Sequence, residues 1–189
     1  MNLGQMMLVV AALSLLGVII LNANSGILET SEVQNMSEFG ITAVSLATSL
    51  IEEAMGKFYD AAIEDSNYTS LSDSTVLTWP LGPGGMESYR GMKVGTQDFN
   101  DFDDFNNLFL VYKSSVAADS TATPGSSHEI IVPGIRAKYF VKASVNYVRL
   151  GTLDGTTTTK TWQKKITVTV SSPTSRDTLA FPAIMSYWN

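Results

Sequence analysis

The sequence predicts an α+β protein in which one long N-terminal α-helix, kinked or unwound near residues 22–28, packs on a C-terminal antiparallel β-sheet domain. Three observations carry that expectation. The first charged side chain is Glu29, so the chain opens on an uncharged apolar stretch. Between Val33 and Ala62 apolar residues recur at steps of three and four, the period of one buried helical face. Beyond residue 66 the period shortens to two in "AKYFVKASVNYVR" and "TWQKKITVTVSS", as in half-buried strands. The 189 residues thus divide into an apolar helix at 1–29, an amphipathic helix at 30–65 and a β-rich head at 66–189. A head of that length can bury one core without disulfides, and the chain has no cysteine.

From Met6 to Leu21 every residue is apolar or small. With its uncharged flanks the helix reaches about 20 residues, roughly 30 Å, enough to cross a bilayer. A secretory signal peptide wants a basic n-region and a small-residue cleavage site. Lys and Arg are absent here, and "LNANSG" is a poor site. An ordinary membrane anchor wants flanking cytoplasmic cations, which are also missing. The third reading is a helix that leaves the membrane with its domain and is buried among copies of itself in a fibre. Ala11, Ala12, Ser14 and Gly17 would let such helices approach closely. Leu3, Gln5, Leu8, Ala12, Leu16, Gly17 and Ile20 are the candidate packing residues of that core.

Asn22, Asn24, Ser25 and Gly26 follow, and Gly alone costs ~1 kcal/mol relative to Ala in a helix. They predict a break that could unwind during assembly. Helical signals resume at Thr30 and Ser31, which can cap, beside Glu29 and Glu32. The stripe runs Val33, Met36, Gly40, Val44, Ala47, Ile51, Ala54, Phe58 and Ala62, with the helix expected to end near Asp65.

In the head, one strand should present Tyr139, Val141, Ala143, Val145 and Tyr147 on one face, and the next Trp162, Ile166, Val168 and Val170. Asp154-Gly155 between them suits a hairpin turn. Lys and Thr residues are placed outward. Leu179–Met185, "LFLVYKS" and "VLTWP" are further strand candidates, and the two loops "PLGPGGMESYRG" and "SSVAADSTATPGSSHE" are irregular.

The net charge of −6 conceals an asymmetry. Residues 1–104 carry 14 acids and 3 bases, or −11, whereas residues 105–189 carry 4 acids and 9 bases, or +5. Such a chain can attract copies of itself head to tail, or the charges can simply solvate two surfaces. With no concentrated basic stripe, it is a poor nucleic-acid binder. A single histidine, His128, excludes a His-based metal cluster within the chain and leaves no nucleophile–base–orienter set to name, so no enzyme is expected.

The densest polar cluster is "QDFNDFDDFNN". Asp98, Asp101, Asp103 and Asp104 are hard oxygen ligands of the type calcium takes, although the spacing is not that of an EF-hand. The alternative is a solvated loop anchored by Phe99, Phe102 and Phe105; no other cofactor is indicated. Adjacent acids such as Glu52 and Glu53 diverge on a helix and cannot share a proton site. "GPGG" lacks the Lys and Ser/Thr of a phosphate loop. Trp79, Trp162 and Trp188 could stack on sugars or pack in the sheet. Asn67 heads a glycosylation sequon at a loop, whereas the Asn35 sequon falls within the helix. The Ser/Thr-rich loops at 114–127 and 152–161 could carry O-linked sugars.

The order of these parts resembles type IV pilins and their pseudopilin relatives. Processed pilins begin with Phe or Met, carry Leu at the third position and Glu at the fifth; "MNLGQ" supplies Met1, Leu3 and Gln5. The family's acid is thought to pair with a neighbour's N-terminal amine, for which Gln5 is a weaker partner. The resemblance is residue-level only at the start, covers 1–65, and is architectural beyond. It leaves two processing sites open, before Met1 or after Gly4. It implies a structural subunit anchored in the inner membrane, matured by a prepilin peptidase and drawn by the pilus assembly machinery into an extracellular homopolymer at the cell surface. A minor pilin or secretion-system pseudopilin is the first alternative. A membrane-tethered binding domain that never polymerises is the second.

Overall fold

The structure is a computed structural model, and it describes residues 2–64, 74–79, 81–82, 99–114, 128–135, 137–149, 151–175 and 177–187. It has the α+β architecture: one long N-terminal helix packed against a six-stranded mixed sheet. The chain divides into two units, Met1–Ile41 and Thr42–Asn189, and helix α1 (Leu3–Met55) contributes to both.

In the first unit the helix is exposed on every side through residue 37. Fifteen large apolar side chains between Leu3 and Leu28 stand 49–78% exposed. Helical structure continues without interruption through residues 22–28, which corrects the expected break at Asn22, Asn24, Ser25 and Gly26. The physical reason is cooperativity. Once flanking turns exist, each added residue gains a backbone hydrogen bond, and that gain outweighs the modest propensity cost of one Gly and two Asn. The Thr30 hydroxyl donates back to the Gly26 carbonyl at 2.8 Å, a bond within the helix that leaves it continuous.

In the second unit α1 covers the sheet with small residues. Ala43, Ala47 and Ala54 are fully buried and Leu50 nearly so. Only Ala47 and Ala54 belong to the stripe read from the sequence; Val44 and Phe58 are exposed. The phase differs because the alanines, not the larger residues, take the face that must approach the sheet. The helix also ends ten residues early, at Met55 rather than near Asp65. The chain is redirected by the 99–102 segment: the Phe58 amide donates to the Asn100 carbonyl at 3.3 Å and the Phe102 amide to the Phe58 carbonyl at 2.8 Å. A short helix α2 (Ala61–Glu64) then starts with Asp60 at its N-cap, whose carboxylate accepts from the Ala62 amide at 3.1 Å.

The sheet comprises β1 (Phe109–Lys113), β2 (His128–Ile131), β3 (Tyr139–Arg149), β4 (Thr152–Thr157), β5 (Gln163–Ser171) and β6 (Thr178–Ser186). Its order is β2-β1-β3-β5-β6, with β4 pairing the far end of β3. All pairs are antiparallel except β1–β2, so the sheet is mixed rather than wholly antiparallel. The sequence reading has no strand at β2, which follows a polar stretch; across the parallel pair, Lys113 reaches Glu129 at 2.5 Å. Of "VLTWP" (76–80), Val76 closes a 3-10 turn (Ser74–Val76) and residues 77–79 belong to no strand. Asp154-Gly155 lies inside β4, not in the turn; Gly151, at φ 96°, makes the reversal instead. Pro182 sits on β6, the last strand in the order, where a missing amide costs no ladder bond on the open side.

Candidate functional site

The described residues contain one buried ionic centre, built by three segments distant in sequence. The sequence pattern of β5 turns Trp162, Ile166, Val168 and Val170 inward and its lysines outward. Strict alternation places position 164 inward as well, between 162 and 166. Lys164 is fully buried there, paired in register with Tyr147 of β3. A buried ammonium requires partners. Lys164 Nζ donates to Asp103 Oδ1 at 2.5 Å, to Asp60 Oδ2 at 2.7 Å and to the Tyr59 carbonyl at 2.8 Å. The rings of Tyr59 and Tyr147 stand over it, with centroids 4.6 Å and 5.5 Å from Nζ.

The two carboxyls differ in their surroundings. Asp60 accepts, besides Lys164, from the Thr78 hydroxyl at 2.7 Å and from the Thr78 and Ala62 amides at 3.1 Å. Asp103 opens a 3-10 turn (Asp103–Phe105) and is pushed up to about 7 by burial, with the Asp101 and Asp60 charges adding and Lys164 opposing. Burial also holds the phenols of Tyr59 and Tyr147 well above their usual range, and Asp60 and Asp103 add to the effect. The Tyr147 hydroxyl donates to the Thr78 carbonyl at 2.9 Å, and that of Tyr59 to the Thr161 carbonyl at 2.8 Å. The cluster is closed by Leu77, with Ile63, Leu81, Trp162, Met185 and Tyr187 around it.

The acidic segment read as a calcium candidate supplies part of this centre. Asp98 lies outside the described residues. Asp101, Asp103 and Asp104 are buried. Asp103 faces Lys164, whereas Asp101 accepts from the Ala61 amide at 2.7 Å and the Asp104 amide at 3.0 Å, and Asp104 from the Asn100 amide at 2.9 Å. Among the described residues no three Asp, Glu or His side chains converge as a metal-holding group. Phe99, Phe102 and Phe105 are buried as expected, Phe99 and Phe105 edge to face at 4.9 Å. Trp162 packs on Tyr187 at 5.5 Å and Trp79 near Tyr147 at 6.2 Å. Asn67 and Trp188 lie outside the described residues, as does most of "GPGG".

The second candidate feature is the exposed apolar rod. By length and composition α1 can cross a membrane. Leu3, Leu8, Leu16 and Ile20 are all exposed on it, and Gln5, Ala12 and Gly17 share that exposure. Comparison with known proteins returns no matching family model, no matching curated protein and no matching solved structure.

Proposed function

We propose that the chain is a structural, non-enzymatic subunit that waits in the cytoplasmic membrane and polymerises through its N-terminal helix into an extracellular filament of the type IV pilus kind. The observation that supports this reading is the all-round exposure of the apolar rod. Fifteen large apolar side chains left in water would forgo roughly 1.5–3 kcal/mol each. That sum exceeds the whole stability of an ordinary domain, about 5–15 kcal/mol, so the rod needs an apolar surrounding. Lipid supplies one before assembly and sister rods supply one after it. A minor pilin or pseudopilin would use the same rod at lower copy number. A tethered, non-polymerising domain would leave it in lipid.

Electron microscopy of material sheared from cells expressing the full chain separates these readings. Thin helical fibres containing this chain are expected. Leu13→Asp places a charge in the rod, where burial without a partner costs several kcal/mol, and is expected to abolish fibres while leaving the head folded. A chain recovered only as single detergent-bound particles, or fibres unaffected by Leu13→Asp, would refute the polymer.

A further inference from the structure

We propose that Lys164 and Asp103 join through an intramolecular amide bond between Lys164 Nζ and Asp103 Cγ, with Asp60 as the proton carrier. This inference concerns the head alone and does not rest on the filament reading.

Three features of the ionic centre carry it. The first is proximity. Nζ already touches an oxygen of each carboxyl, at 2.5 Å for Asp103 and 2.7 Å for Asp60. Groups held in contact by a fold react as if at very high local concentration, about 10⁵ M or more in well-oriented cases. The second is dryness. All three side chains are at most 2% exposed, and the rings of Tyr59 and Tyr147 roof the amine. In water an amine and a carboxylic acid ionise and so resist condensation. In this pocket the ions are the costly form and the neutral amide is the cheap one, because a buried ion pair carries a desolvation penalty that an amide does not. The third is division of labour. Asp60 accepts from the Thr78 hydroxyl and from the Thr78 and Ala62 amides as well as from Lys164, whereas Asp103 has Lys164 as its one described donor and is pushed up to about 7 by burial. Two carboxyls that touch one amine from such different surroundings can divide the roles of proton carrier and reacting acid.

The step balances without any co-reactant. Asp60 takes a proton from the Lys164 ammonium. The freed amine attacks Cγ of the protonated Asp103, forming the C–N bond. Asp60 passes its proton to the departing hydroxyl and takes the second amine proton. The C–O bond breaks, water leaves, and a secondary amide remains beside a neutral Asp60. No oxidation state changes. The bond closes a covalent ring from the turn at Asp103 to β5 at Lys164.

Mass spectrometry of the purified full chain, aged at neutral pH, tests the proposal. The intact mass is expected to fall short of the mass set by its verified N-terminus by one water. Digestion should yield one branched peptide joining the segments of Lys164 and Asp103, with no cleavage after Lys164. Asp60→Asn is expected to restore the full mass, with tryptophan fluorescence confirming that the head is folded. Asp103→Asn is expected to lose ammonia in place of water, because its side-chain amide presents the same carbon to Nζ. A folded wild-type chain of undiminished mass overturns the bond. A branched peptide carrying Asp60 in place of Asp103 overturns the assignment of roles.

Discussion

Replacing Lys164 by Met removes the cation and keeps most of the side-chain volume. Asp60 and Asp103 then remain in a pocket where neither side chain is more than 2% exposed and the ammonium no longer faces them. Removing one partner of a buried pair costs about 3–5 kcal/mol. The loss of the donation to the Tyr59 carbonyl adds to it. Where Nζ is already amide-bonded in the wild type, the loss of the link adds further, so about 3 kcal/mol is the floor. The cost depends on pH with a definite sign. Lys164 is the group that lowers the Asp103 pKa, while burial, Asp101 and Asp60 raise it. Without Lys164 the folded-state value lies above about 7, against 3.8 for the ordinary side chain. Across that window the folded chain binds more protons than the unfolded one, so stability must fall as pH rises. Equilibrium denaturation of the full chain in detergent, followed by tryptophan fluorescence, reads this directly, since all three tryptophans lie in the head. Lys164→Met should be less stable than wild type at both pH 5 and pH 8, and less stable at pH 8 than at pH 5. A loss under about 1 kcal/mol, or a variant more stable at pH 8, would refute the buried-charge account.

Three further substitutions probe the packing of the head and of α1. Asn106 accepts from the Val145 amide at 2.9 Å and donates to the Leu81 carbonyl at 2.9 Å, extending the β3 ladder past the end of β1. Asn106→Leu strands both groups and should lower stability by about 2 kcal/mol in the same denaturation assay. Ala47 is fully buried where α1 meets the sheet. Ala47→Leu overfills that contact and should cost about 1–3 kcal/mol, while Thr48→Leu, at an exposed position one residue on, should be near neutral by thermal melting.

Much of the architecture is legible in the sequence because it rests on periodicity. The alternation of Tyr139, Val141, Ala143, Val145 and Tyr147 reads as a strand and the apolar run from Met6 to Leu21 as a helix, and both elements form. What is not legible rests on contacts between distant segments. Nothing local to "IEEAMGKFYD" says that Phe58 will bond to the 99–102 backbone, so the helix end falls elsewhere than the stripe suggests. The capping signal of Asp60 is nonetheless present, an Asp ahead of a short apolar run. The Asn22–Gly26 break does not form because propensity is a weak local term against a cooperative helix. Lys164 escapes a reading that puts residue type before position. The period of two that places Trp162 and Ile166 inward obliges the residue between them to face inward too, and a lysine forced inward signals partners elsewhere in the chain.

An ion pair in a dry pocket contributes little to stability, since apolar residues of equal volume often do as well or better. The Asp60–Lys164–Asp103 arrangement therefore asks for a use beyond packing. Condensation converts it from a penalty into a constraint. Closing the chain between 103 and 164 removes loop entropy from the unfolded state worth about 4 kcal/mol, and leaves no ion pair to solvate. The position of the bond also matters. It would lock the 103–105 turn to β5, while Asp60, just beyond the last turn of α1, stays held by hydrogen bonds alone. On the proposed filament reading, a subunit drawn out of a membrane by its helix would then carry a head whose sheet cannot be unzipped between those two points. The passage from helix to head would remain the part that can yield.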